Sequence, residues 1–264
     1  MWVLDMDSGV KYVKTIKIYF LGFFLCLFSL NLAMAENLEI EASGFLEWDQ
    51  EGKSYKANGN AIVSQGTRSM KANEIMAFYE SEENRDIIRI EAEGDVSFTD
   101  SINSGYSEKL TYDLDTQIVS LSGDNSRFKS DQFVAEAKKF IQFNEITGEL
   151  LLQKDAMILI TGNRRIEAQQ IEILLTDGGD VSVIKALTTV KLTENSGRIA
   201  LANEAYYEAE SGEINLIESV QIIDGKNQLQ GDKALINMET GYSKIFSGEK
   251  NTRVSGKLIL GASN

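Results

Sequence analysis

From Glu36 onward apolar and polar residues alternate with a period of two, and no stretch of a dozen residues shows convincing 3.6-residue spacing. Lys109-Leu110-Thr111-Tyr112-Asp113-Leu114 and the run from Ile214 to Ile222 each have one apolar and one polar side. Strands of this kind bury one face and wet the other. The alternation is organised in a degenerate cycle that restarts at Ala61, Val96, Ala156, Val190 and Val220, with a blurred copy near Asn125, about every 30 to 35 residues. Each cycle opens on a short alternating strand such as Asn60-Ala61-Ile62-Val63-Ser64. It passes a small residue about eleven or twelve positions on (Ala72, Ser107, Ala135, Ala168, Ala202, Gly231). It closes on Tyr79, Tyr112, Phe140, Ile173, Tyr207 or Ile236.

Between the alternating stretches lie Asp115-Thr116, Thr147-Gly148, Gly178-Gly179, Ser211-Gly212 and Thr240-Gly241. Glycine supplies the positive φ that tight hairpins need, so the pattern predicts an all-β chain of repeated antiparallel strands. Asp131 to Phe143 carries a weak helical spacing, but Phe140-Ile141-Gln142-Phe143 runs into the same Thr-Gly turn as the other copies, and strand is the better reading. The least regular copy lies between Asp124 and Lys154, where a seam is expected if there is one.

The first 35 residues follow another pattern. Lys11, Lys14 and Lys17 precede an apolar run from Ile18 to Leu32, and Ala33-Met34-Ala35 offers small residues two apart before Glu36. This is the layout of a secretory signal cleaved after Ala35, and a retained segment would make it a membrane anchor. Cys26 is the only cysteine, so a chain starting at Glu36 must hold its core by packing and strand ladders without a disulfide.

Histidine and proline are absent from the sequence. Histidine-based acid-base chemistry, histidine metal ligands and serine or cysteine triads are therefore excluded, and the expectation is a chain that is no enzyme and carries no cofactor or metal. The formal charge of −14 becomes about −15 once the leader is removed, which argues against nucleic acid and anionic lipid surfaces as partners. Asp177-Gly178-Gly179-Asp180 offers two carboxylates, too few for a calcium loop, and reads as a hairpin turn. Absence of proline leaves the terminal sheet edges unguarded and open to strand addition from a partner.

The segment Ala57-Asn58-Gly59-Asn60-Ala61-Ile62-Val63-Ser64-Gln65-Gly66, followed by Met70-Lys71-Ala72-Asn73-Glu74-Ile75, resembles the signature of the OstA-like lipopolysaccharide-transport family. Leu38 to Glu41, Val96-Ser97-Phe98 and Gly105 to Tyr112 continue the likeness, which is strong to about Gly123 and looser through Ile199 to Asn215 and Gln230 to Ile245. The resemblance implies an elongated, V-shaped β-jelly-roll over residues 36–264, extended or doubled relative to its relatives. Its two sheets would enclose an apolar trough for the acyl chains of lipid A. It also implies a periplasmic place, stacking head to tail, and contact with the membrane-anchored and outer-membrane translocon members of the same transport machine. A secreted, polysaccharide-binding β-solenoid is the rival from another class.

The pleat places Leu38 and Ile40, Ala61 and Val63, and Val96 and Phe98 on the inward face, with Glu39, Ile62 and Ser97 on the other. These six inward residues are the candidate lipid contacts, the first and last pairs resting partly on the resemblance. Arg68, Lys138-Lys139 and Arg164-Arg165 are candidates to meet headgroup phosphates at the trough's lip.

Overall fold

A computed structural model describes residues 39–81, 83, 85–160, 164–248 and 253–259. The expected leader, with Leu38, lies outside the described residues. Among those described there are 18 strands and no helix. They are β1 (Glu39–Glu41), β2 (Phe45–Asp49), β3 (Ser54–Gln65), β4 (Arg68–Tyr79), β5 (Ile87–Thr99) and β6 (Ser104–Asp113). Four short strands follow: β7 (Ile118–Ser122), β8 (Ser126–Lys129), β9 (Phe133–Ala137) and β10 (Phe140–Asn144). The long ones then resume as β11 (Glu149–Ile160), β12 (Arg164–Leu175), β13 (Val181–Thr193), β14 (Ile199–Glu208), β15 (Glu213–Asp224) and β16 (Asn227–Asn237), ending in β17 (Ser243–Phe246) and β18 (Ser255–Lys257). Asp131 to Phe143 is strand, as its turn signal predicts.

Every long strand pairs antiparallel with the next, so the chain is one meander. Each also bends at its middle. On β3, β5, β11, β13 and β15 two successive residues take positive φ: Gly59-Asn60, Gly94-Asp95, Lys154-Asp155, Thr188-Thr189 and Glu218-Ser219. There the register slips by one residue; Asn58 faces Glu74 whereas Ala61 faces Ala72. An extra residue on one strand of a pair is a β-bulge, which bends and twists the strand that carries it. Five aligned bulges fold the ladder along a spine into two facing sheets.

The upper sheet holds β2, β7, β10, β17 and the halves of the long strands beside them, such as Ser54–Asn58 of β3. The lower sheet holds β1, β8, β9, β18 and the other halves. The sequence cycle thus has a structural meaning. Its five clear starting points are the residues directly after the bulges, and each pairs with the small residue of its own cycle: Ala61 with Ala72, Val96 with Ser107, Ala156 with Ala168, Val190 with Ala202, Val220 with Gly231. At the spine, where the sheets converge, no inward side chain of these five pairs is larger than valine, and each valine faces Ser, Ala or Gly. The blurred copy is corrected by two residues: its pair is Ser126 with Ala137, whereas Ala135 faces Phe128.

Larger inward residues, Tyr79, Ile90, Tyr112, Leu150, Ile173 and Ile236 above and Phe98, Ile158, Leu192 and Ile222 below, fill the widening space away from the spine. The mouth of the V lies along the two rows of hairpins. Gly148, Gly212 and Gly241, at the turns the sequence marks, have positive φ of 70°, 65° and 72°.

Candidate functional site: an apolar cleft at the centre of the mouth

The regular mouth is interrupted where β7 to β10 replace two long strands. Here a cleft of about 400 Å³ opens between the rims. Its lower rim is Thr67, Arg68 and Asp100 to Asn103, and its upper rim is Glu145 to Gly148 with Thr176 and Asp177. The floor is apolar: Phe98, Val119, Leu121, Phe128, Phe133, Ile141, Phe143 and Leu150.

Three rings form a train across the lower sheet. The centroids of Phe98 and Phe128 are 6.3 Å apart, and those of Phe128 and Phe133 are 5.8 Å apart. Gly105 sets the position of the first ring. It faces Phe98 across the ladder, and a Cβ added to it would lie 2.0 Å from the ring's Cε1. The ring therefore lies flat over glycine backbone, which no other residue permits.

The upper wall carries a buried polar pair. Tyr112, fully buried, donates its hydroxyl proton to Glu145 Oε2 at 3.0 Å, and Glu145 is only 4% exposed. Burial pushes the Tyr112 phenol well above its usual range, and the Glu145 charge adds to the shift. The pair holds the β10–β11 turn against β6 and places a carboxylate at the rim, above the apolar floor. Asp100 is occupied in its own turn, accepting from the backbone N–H of Ile102 at 2.7 Å and of Asn103 at 2.6 Å.

A second cavity, of about 260 Å³, opens at the N-terminal end between Ile40, Trp48, Tyr55, Val63, Met70 and Ile75. Its lining is almost wholly apolar, and Trp48 Nε1 donates to Tyr79 Oη at 3.2 Å beside it. A groove of about 820 Å³ on the outside of the spine is different in character. Its charges answer one another: Lys138 meets Asp155 at 3.0 Å and Arg165 meets Glu167 at 2.8 Å. Asp155, which also accepts from Gln169, is held below the usual carboxylate range, first by its bond to Lys138.

The structure distributes the six sequence candidates over three settings. Phe98 lies on the cleft floor. Ile40, 42% exposed, and its cross-strand partner Val63 line the N-terminal cavity. Ala61 and Val96 are sealed at the spine with no exposed surface and line neither space. Leu38 is outside the described residues.

Of the candidate lip cations, Arg68 and Arg164 reach the mouth. Lys138, Lys139 and Arg165 do not, because the first two sit at the spine between β9 and β10 and the third points outward from β12. Phe128, Phe133 and Glu145 went unremarked in the sequence, and Phe143 was read only as part of a strand. The crowding of phenylalanine between Phe98 and Phe143 was the available signal.

A family model described as LptA/(LptD N-terminal domain) LPS transport protein matches residues 39–148 and 152–242. The chain belongs to this family. The family's pattern covers both halves of the ladder, and its interruption falls at the start of β11, beside the cleft.

Among solved structures, one similar chain is LptH, the LptA homologous periplasmic component of the lipopolysaccharide transport device of Pseudomonas aeruginosa. The identity is 9% over 85% of this chain and 96% of that one, with a TM-score of 0.23, too low to superpose the two as wholes. No match was found among curated proteins.

Proposed function

We propose that this family member carries lipopolysaccharide across the periplasm by covering its lipid A acyl chains inside the V. The observation that supports this most is the apolar cleft between the rims, floored by Phe98, Phe128 and Phe133, of which Phe98 and Phe133 are 5% and 3% exposed. Each methylene taken out of water contributes about 0.8 kcal/mol, so a dry wall lowers the cost of crossing without any reacting group. Rings and methyl groups accept acyl chains of varied length because dispersion contacts are non-directional. The sugars and phosphates would remain outside the mouth, beside Arg68.

The ends of the ladder support a bridging role between the inner-membrane-anchored and outer-membrane members of the machine. At the first edge Phe45, Leu46 and Trp48 are exposed, and at the last edge Phe246, Val254 and Leu258 are exposed. Among the described residues, β1 and β2 at one end and β17 and β18 at the other each pair on one side only, which leaves backbone groups for strand addition by a partner or by a second copy. If Ile18 to Leu32 is retained, the chain acts as the anchored member instead. Amino-terminal sequencing of the periplasmic protein distinguishes the two, a start at Glu36 being the expected result.

The trough is tested with a photo-crosslinking phenylalanine analogue at Phe98 and, separately, at outward-facing Ile62 in living cells. Lipopolysaccharide adducts are expected at Phe98 and not at Ile62. Adducts at neither position, or at both equally, overturn the reading.

A further inference from the structure

The two halves of the V differ in how their mouths are closed. In the N-terminal half the interior reaches solvent through the end cavity and the central cleft. In the C-terminal half the inward residues Ile171, Ile184, Leu192, Leu216 and Ile236 are all at most 1% exposed, as are Leu110 and Tyr112 of the N-terminal half, so the halves differ at their rims and not in the depth of the core. Over this sealed stretch two arginines of the lower rim reach across to the upper rim. Arg164, at the start of β12, donates to the carbonyl of Met238 at 2.5 Å. Arg198, before β14, donates to the carbonyl of Gly241 at 2.8 Å and to Ser243 Oγ at 3.1 Å.

Both arginines therefore grip the single turn that joins β16 to β17. That turn is preshaped to receive them: Asn237 Oδ1 accepts the N–H groups of Glu239 and Thr240 at 3.1 and 2.8 Å, and Gly241 takes a φ of 72°. Arg198 is aimed by Glu194, whose carboxylate takes two of its donors at 3.1 and 2.6 Å. The two side chains are 14% and 17% exposed, so this fork is shielded from water on most sides. The Met238 side chain in this turn is 8% exposed and packs in the core.

We propose that Arg164 and Arg198 form a latch that holds the mouth of the C-terminal half shut. The acyl path of the resting chain then runs from the N-terminal cavity to the central cleft and ends there, and the C-terminal half takes up lipid only when the latch is released. The statement about lipid rests on the trough reading above; the latch itself does not. Across the mouth the latch uses two neutral carbonyls and a hydroxyl; Arg198 keeps its charge paired with Glu194, so Arg164, held among the described residues only by the Met238 carbonyl, is the arm that an anionic phosphate oxygen draws away. An arriving glycolipid headgroup is accordingly the natural release signal.

The test uses thiol labelling in the full chain with Cys26→Ser, which leaves no other cysteine in the sequence. Leu216→Cys reports on the C-terminal interior and Phe143→Cys on the cleft, with a maleimide as probe. The latch predicts slow labelling at Leu216→Cys and fast labelling at Phe143→Cys. Arg164→Ala with Arg198→Ala should raise the first rate about 10-fold or more and leave the second unchanged, because three charge-assisted bonds no longer oppose opening. Arg198→Lys alone, which keeps the charge and loses the fork, should give an intermediate rate and serves if the double variant folds poorly. An unchanged Leu216→Cys rate, or an equal rise at both positions, overturns the latch. Added lipopolysaccharide separates the two ideas: if it fails to protect Phe143→Cys the trough reading falls, whatever the arginines do.

Discussion

The bulge at Thr188-Thr189 makes a quantitative prediction about stability. Both residues are β-branched and exposed, with φ of 66° and 58°. Left-handed backbone costs roughly 1–2 kcal/mol per L-residue, and a branched Cβ is the least suited to it. The equivalent bulge on β3 is Gly59-Asn60, at 88° and 45°. Replacing Thr188→Gly and Thr189→Asn relieves most of both penalties and loses no buried contact. Against this, glycine adds about 0.5–1 kcal/mol of unfolded-chain entropy to be lost on folding.

The net expectation is a stabilisation of about 1–2 kcal/mol, or roughly 2–8 °C in Tm for a domain of this size. Urea unfolding should show a higher midpoint with the same m-value, since the surface exposed on unfolding is unchanged. The reverse exchange, Gly59→Thr with Asn60→Thr, should cost more than the forward one gains, because a Cβ on Gly59 would meet the Gly44 nitrogen at 2.7 Å. A midpoint equal to or below the parent's in the forward variant refutes the claim that strained bulges bend the ladder.

Tyr112→Phe removes the bond to buried Glu145 and should cost about 1.5–3 kcal/mol at neutral pH, read by urea unfolding. Because the folded pKa of Tyr112 is raised, its contribution is complete below the unfolded tyrosine pKa of about 10 and is lost as pH rises through the folded value. The parent should therefore lose about 1.4 kcal/mol per pH unit above pH 10 from this group alone, a slope absent from the parent-minus-variant difference only if the assignment is wrong. Gly105→Ala forces the Phe98 ring off the floor, and a loss of about 1–3 kcal/mol in a thermal melt is expected. Phe133→Ala empties the far end of the ring train and should cost about 3–5 kcal/mol; a loss below 1 kcal/mol would mean the floor is not packed.

Much of the architecture was readable in one dimension because a pleat has a fixed period. The five clear cycle starts, Ala61 to Val220, coincide with the residues after the bulges, since a bend that must be tight inside limits each cross-strand pair there to Ala or Val opposite a small residue. A further signal was present and easy to miss. On β4, β12, β14 and β16 the inward alternation slips by one residue at the bend, as in Met70, Ala72, Ile75, Ala77, or Ile166, Ala168, Ile171, Ile173. The paired outward residues between them, Asn73-Glu74 and Gln169-Gln170, mark the convex side of the corner. The copy near Asn125 stayed blurred because β7 to β10 are separate short strands, so no bulge imposes its spacing.

Local chemistry determined that this chain is a doubled-back ladder with one apolar face, since side-chain alternation and turn glycines act over a few residues. Whether an inward residue packs against protein or lines an open space depends on what the opposite sheet brings to it. Ala61 and Phe98 have the same parity in the pattern, yet one is sealed at the spine and the other floors the cleft. The grip of Arg198 on Gly241, 43 positions away, is likewise invisible in sequence. Both were decided by the closing of the V, which sets distances between residues that no local rule connects.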